Sequence, residues 1–121
     1  MSKPILCLDF DGVLHSYTSG WMGATVIFDP PVPGAIAFIR AALEYFDVQI
    51  YSSRSSQPGG IAAMKLWLAV NSNNDEELIT QVGFPDSKPS AFVTLDDRAI
   101  TFEGSWPNLE VLRKFKPWNK R

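Results

Sequence analysis

The sequence is poor in several things. It has one cysteine, Cys7, and one histidine, His15. A single thiol excludes an intrachain disulfide, and its scarcity suits a reducing compartment. Cys7 lies inside the first apolar run and reads as a small buried hydrophobe, not a nucleophile. Long apolar runs are missing, and no stretch approaches the ~20 residues a membrane helix needs. Asp9 and Asp11 interrupt the only apolar N-terminal run, so no secretory signal is expected and a cytoplasmic location is. A strong net charge is missing too. Eleven Lys and Arg against thirteen Asp and Glu leave −2. No global basic field recruits nucleic acid, though Arg113 to Arg121 hold five basic residues and no acid. That run reads as a solvated helix end or as a weak phosphate-backbone contact.

What is present is ordinary for a globular chain: 121 residues, 45% hydrophobic and 20% charged. That length fits one compact domain with one core. Ile5 to Leu8 is short and apolar, bounded by Pro4 and Asp9, and reads as a buried parallel strand. Gly12 to Pro33 is polar, glycine-rich and aromatic. It includes the β-prone Thr25-Val26-Ile27-Phe28, and a hairpin-like flap is expected over about 15–30. Pro30, Pro31 and Pro33 stop it, and a helix can start at Gly34. Ile36, Ile39, Leu43 and Phe46 then fall on one helical stripe, widened by Ala35, Phe38 and Ala42.

Val48 to Tyr51 predicts a second strand, followed by Ser-, Pro- and Gly-rich turn chemistry to Gly60. Ile61 to Val70 predicts a helix with Met64, Trp67 and Leu68 inward. Asn71 to Asn74 break it, and a short helix follows over Glu76 to Val82. Ala91 to Leu95 is a third strand, and Ile100 to Phe102 a short fourth. Pro107 to Phe115 is a last helix with Leu109 and Leu112 inward. Strands alternating with helices predict an α/β, Rossmann-like three-layer sandwich around a mostly parallel central sheet. Ligands in such sheets bind beyond the carboxyl ends of the strands.

Three strands end in suggestive polar residues on that edge: Asp9-Phe10-Asp11, Ser52-Ser53-Arg54 and Asp96-Asp97-Arg98. Lys88 precedes the third strand closely enough to lean over the same edge. Converging carboxylates repel unless a cation sits among them, and an all-oxygen set suits Mg²⁺. A metal so placed neutralises phosphoryl charge. One carboxylate can attack phosphorus, and a second can carry the proton. A serine hydroxyl and a lysine ammonium can steady the transferring group.

Asp9-Phe10-Asp11-Gly12-Val13 after an apolar strand resembles the first motif of the haloacid dehalogenase (HAD) superfamily. "VQIYSSR" (Val48 to Arg54) is similar to its second motif. "SKPSAFVTLDDRA" (Ser87 to Ala99) resembles its third and fourth, in the family's order. The resemblance spans about residues 5–102 and implies a role for each matched position. Asp9 would be nucleophile and Mg²⁺ ligand. Asp11 would be general acid and base, with its backbone carbonyl on the metal. Ser52 would hold a phosphoryl oxygen, and Lys88 would pair with Asp9 and the phosphate. Asp96 and Asp97 would complete the metal site, one directly and one through water or by orienting Lys88. The implied activity is phosphomonoester hydrolysis through an aspartyl-phosphate.

Both inter-motif intervals already hold a core helix, which leaves no room for a large cap domain. The site is then open, suited to a large or extended phosphorylated substrate of unspecified class, unless a second copy in a homo-oligomer lids it. Nucleic-acid ends fit such a site, but the net charge does not point to them. Gly12, Ser53, Arg54 and Trp21 are candidates for substrate contact. Arg54 and Arg98 could each hold a substrate's distal anion or serve equally as a structural partner for the acids; Trp21 also reads as flap packing, and His15 as a pocket-lining residue or a loop residue without a role.

Competing readings meet specific obstacles. An EF-hand loop would put Leu14 where glycine is required. A phosphoacceptor receiver domain has its acid pair before its Ser/Thr and Lys, whereas here Ser52 precedes Lys88 and Asp96-Asp97. Two alternatives remain on the same scaffold: a non-catalytic phospho-ligand or protein-binding module, and a phosphotransferase to an acceptor other than water.

Overall fold

The computed structural model describes residues 2–121. Three strands form one all-parallel sheet. β1 (Ile5–Leu8) is central, flanked by β2 (Asp47–Ile50) and β3 (Val93–Leu95), in the order β2-β1-β3. Leu6 pairs with Val48 on one side and Val93 on the other. Leu6, Cys7 and Leu8 are all buried, as expected of a central parallel strand covered on both faces. The chain leaves β1 for β2 on one side and then crosses to β3 on the other. The carboxyl end of β1 is therefore a topological switch point, where a crevice opens beyond the sheet.

The helices are α1 (Ala35–Ala42), α2 (Gly60–Asn71), α3 (Glu76–Gln81) and α4 (Leu109–Arg113), with a 3₁₀ turn at Trp118–Lys120. α1 starts where the prolines end and buries Ala35, Ile39 and Ala42, one face at i, i+4 and i+7. Phe38 falls off that face and is exposed, unlike the expected stripe. α2 turns Met64, Trp67 and Leu68 inward, as the sequence predicts. Asn73 and Asn74 adopt φ of 56° and 57° after it, a conformation asparagine tolerates and a helix does not. α3 is capped by Asp75, whose side chain accepts from the Leu78 N–H. Leu6, Leu8, Phe10, Ile39, Val48, Ile50, Met64 and Leu68 join in one core. Among the described residues, no helix is long and apolar enough to cross a membrane.

Three expectations are corrected. Thr25 to Phe28 forms no strand. Strand-like backbone pairing is confined to the flap's base, where Ser16 N–H donates to Pro30 O at 2.9 Å and Val32 N–H to Leu14 O at 2.8 Å. Prolines at 30, 31 and 33 supply no N–H, so the ladder cannot grow. Ile100 to Phe102 is irregular and exposed, not a fourth strand. α4 is five residues long and buries none; Leu109 and Leu112 face solvent. Apolar spacing there marks a face without supplying a surface to meet it.

Candidate active site

Asp9 follows β1, and its N–H donates to Leu95 O of β3 at 3.0 Å. That bond brings the ends of β1 and β3 together. Carboxylate oxygens of Asp9, Asp96 and Asp97 lie within 4.8 Å of one another. The Asp9 carboxyl is pushed up to about 8, first by burial and then by its hydrogen bond with Asp97; repulsion from Asp96 and Asp97 adds to this, and the Phe10 N–H opposes it. That N–H reaches Asp9 Oδ1 at 2.8 Å. Such crowding needs a shared proton or a cation. The donor set is all oxygen, of the kind that hard cations take.

Gly12 makes the close approach possible. Its φ is 83°, and a Cβ there would sit 2.8 Å from Asp97 Cγ. Its N–H turns back to His15 O at 2.8 Å. Any side chain would be strained by the backbone and would displace Asp97.

The Asp11 side chain is not in the acidic trio. It faces the other way, into a clasp built by Arg54 and His15. Arg54 Nε donates to Asp11 Oδ2 at 2.9 Å and Oδ1 at 3.2 Å, and Nη2 donates to Oδ1 at 3.1 Å. Nη1 donates to three flap carbonyls, Gly23, Ala24 and Val26, at 2.9, 3.0 and 3.1 Å. Arg54 is 0% exposed, and Nε, Nη1 and Nη2 are all engaged within the protein. The alternative of a structural partner for the acids is the one its geometry meets. Its guanidinium also lies 4.8 Å from the Trp21 ring centre. Trp21 stacks on the clasp while remaining about half exposed.

His15 completes the clasp. Nδ1 lies 2.8 Å from Asp11 Oδ1, and Asp29 N–H donates to Nε2 at 3.1 Å. Nε2 therefore accepts, and the proton sits on Nδ1, donated to Asp11. The ring is buried, stacked on Phe10 at 5.4 Å and edge-on to Trp67 and Tyr17. Trp67 Nε1 fixes Asp29 O at 3.0 Å, and Asp29 binds Ser19, so the flap's far end is tied to the same network. His15 is far from the idle loop residue the sequence allowed. Its role was hidden because its partners are a carboxylate four residues back and a backbone N–H fourteen ahead. Tyr17 is also missed by sequence reasoning. It holds φ of 61° against His15, an uncommon backbone state for a ring-bearing residue.

Ser52 is buried at the end of β2. Its Oγ accepts the Arg54 N–H at 2.9 Å, which leaves its own O–H to donate. Ser53 is exposed and its carbonyl accepts from Gln57. Lys88 is exposed, and among the described residues no carboxylate lies within 4.0 Å of it, so the expected pairing with Asp9 is not made in this structure. The Arg98 N–H donates to Asp96 Oδ1 at 2.8 Å, holding the turn after β3. Cys7 is buried, and that burial pushes its thiol up, which keeps it unreactive.

No family model matches this chain, and neither the curated proteins nor the solved structures compared with it contain a significant match.

Proposed function

We propose that the protein is a Mg²⁺-dependent phosphomonoesterase of the HAD type, on a Rossmann-like three-layer scaffold without a large cap. The observation that carries this reading is the convergence of Asp9, Asp96 and Asp97 at the carboxyl edge of a parallel sheet, with Asp11 and Ser52 on the same edge. The carboxylates fit a hard cation because burial, the Asp97 hydrogen bond and repulsion from Asp96 and Asp97 together raise Asp9. Asp9, Asp96 and Asp97 would hold Mg²⁺, with the Asp11 carbonyl adding to the set. The bound ion would neutralise phosphoryl charge.

The chain's own residues divide the remaining work. An Asp9 oxygen attacks phosphorus, and the bond from phosphorus to the ester oxygen breaks. Asp11, once protonated and turned from the clasp toward the ester, would give its proton to that leaving oxygen, then take one from the water that cleaves the aspartyl-phosphate and frees inorganic phosphate. Asp11 Oδ2 accepts only from Arg54 Nε, so it keeps a lone pair for the travelling proton. Ser52 donates its hydroxyl proton to a phosphoryl oxygen. Lys88 swings in from solvent to meet the phosphate. Trp21 lines the approach beside the flap.

The test is hydrolysis of an aryl phosphate by the purified protein with Mg²⁺. Asp9→Asn is expected to lower kcat by about 10³-fold or more, with unchanged circular dichroism. Full activity in that variant would rule out Asp9 as nucleophile.

A further inference from the structure

The charge of this chain is divided by position. Residues 98–121 hold six basic side chains and two acids, while residues 1–97 hold five basic side chains and eleven acids. One of the two acids in the later segment, Glu110, is already spent on Arg113 at 2.8 Å. The basic segment is docked on the candidate active site. Trp118 Nε1 donates to Gly12 O at 2.8 Å, across 106 positions of sequence. Gly12 is the residue that lets Asp97 approach, so Trp118 stands beside the acidic trio. Its indole is fixed at one edge and still 53% exposed, which leaves ring surface free beside the phosphate site.

The same segment lines a groove of about 430 Å³, with Ile100, Phe115, Lys114, Lys116 and Arg121 in its walls. It begins at Ala99, two residues after Asp97. Further along the segment, Phe102 and Trp106 pair at 4.8 Å and are exposed. Exposed rings interleaved with cations are the pattern that holds a single strand of nucleic acid: rings stack on bases and cations follow phosphates. An acidic peptide would use the cations and leave the rings idle. Two such segments packed face to face would set cations against cations, which disfavours a symmetric dimer through this surface.

We propose that residues 98–121 form a strand-binding arm, and that the substrate class is a single nucleic-acid strand ending in a phosphate. The strand would lie along the groove with a base on Trp118, delivering its terminal phosphate to Asp9. The choice of a terminal phosphate rests on the phosphatase reading; the choice of a strand rests on the arm itself.

The test is fluorescence anisotropy with a short single-stranded DNA carrying a terminal phosphate, using the full chain as Asp9→Asn to block turnover. Binding should weaken with salt, with a log–log slope of about −2 for three phosphate contacts. The triple change Lys114→Glu, Lys116→Glu, Arg121→Glu should weaken it by at least about tenfold, since it reverses three such contacts. Trp118→Ala should weaken it by about fivefold or more through lost stacking. Circular dichroism checks that each variant is folded, and Lys114→Gln with Lys116→Gln gives a milder second pair.

Salt-independent binding, equal affinity in the charge-reversed protein, or tighter binding of a phosphoserine peptide of matched charge would each overturn the proposal. So would sedimentation showing a dimer that dissolves on charge reversal, since the arm would then serve a second copy. If no phosphate ester is cleaved but arm-dependent strand binding persists, the phosphatase reading fails and the arm stands. If aryl phosphate is cleaved and no strand binds, the arm fails alone.

Discussion

Residues 5–84 and residues 91–121 are built differently. The first region gathers Leu6, Leu8, Phe10, Ile39, Val48, Ile50, Met64 and Leu68 in one buried core and ties its irregular flap down with a fully buried arginine. The second leaves Phe92, Val93, Leu95, Ile100, Phe102, Trp106, Leu109 and Leu112 exposed, and its strand β3 is held to the sheet by backbone pairing to β1. The difference shows two ways to position a candidate site residue. Asp11 is placed by a dense side-chain network; Asp96 and Asp97 are placed by a hydrogen-bonded strand end with little burial beneath it.

The seam between the two regions is Asp9, and the largest effect is expected there. Its carboxyl is raised from 3.8 to about 8 in the folded protein. Protonated Asp9 favours the folded state, so its contribution to stability is fully present below about pH 4 and is lost as pH rises through about 8. Urea midpoints in EDTA should therefore drop from pH 5 to pH 8, and Mg²⁺ should flatten that drop. A flat profile in EDTA would break the claim that the acids crowd one another.

Next is the clasp. Arg54→Met leaves Asp11 with His15 as its one side-chain partner and takes the arginine donor from three flap carbonyls, at an expected loss of about 3–5 kcal/mol in urea unfolding. Arg54→Lys should recover only part, because one ammonium cannot reach both the carboxylate and the flap.

A direct contrast of the regions follows. Ile39→Ala should cost about 2–5 kcal/mol, as core truncations do. Leu109→Ala should stay within about 0.5 kcal/mol, as exposed sites do. Similar losses at the two sites would mean that residues 91–121 share the packing of the first region. Between these lies Gly12→Ala, expected to cost about 1–3 kcal/mol from its backbone conformation and to lower the proposed aryl-phosphate hydrolysis by moving Asp97.

The sequence made the parallel strands and the helices of the first region legible, because Ile5 to Leu8 is apolar throughout and Ile36, Ile39, Leu43 and Phe46 repeat at helical spacing, although the buried face is Ala35, Ile39 and Ala42. The acids at strand ends were legible because an α/β sheet must place them on one edge. The clasp was not. Arg54 finds Asp11 from 43 positions away and bonds the carbonyls of Gly23, Ala24 and Val26, groups every residue carries and no sequence pattern marks. Leu109 and Leu112 misled for the opposite reason. Their spacing describes a helix face, but burial depends on a neighbouring surface that residues 2–121 do not provide.

The register of β3 has a kinetic consequence. β1 can pair with β2 once Leu6 meets Val48, but its partner on the other side is Val93. Closing the longer loop costs more chain entropy, and the exposed β3 offers little apolar burial to offset it. The acidic trio straddles that last pairing, since Asp9 lies on one side of it and Asp96 and Asp97 on the other. During refolding, Asp9 should therefore meet its partners only after the β1–β2 core has formed. Pulsed hydrogen exchange would show this order as protection at Val48 and Ile50 preceding protection at Asp9, whose amide is bonded to Leu95. Protection at Asp9 arriving first would reverse the sequence of events.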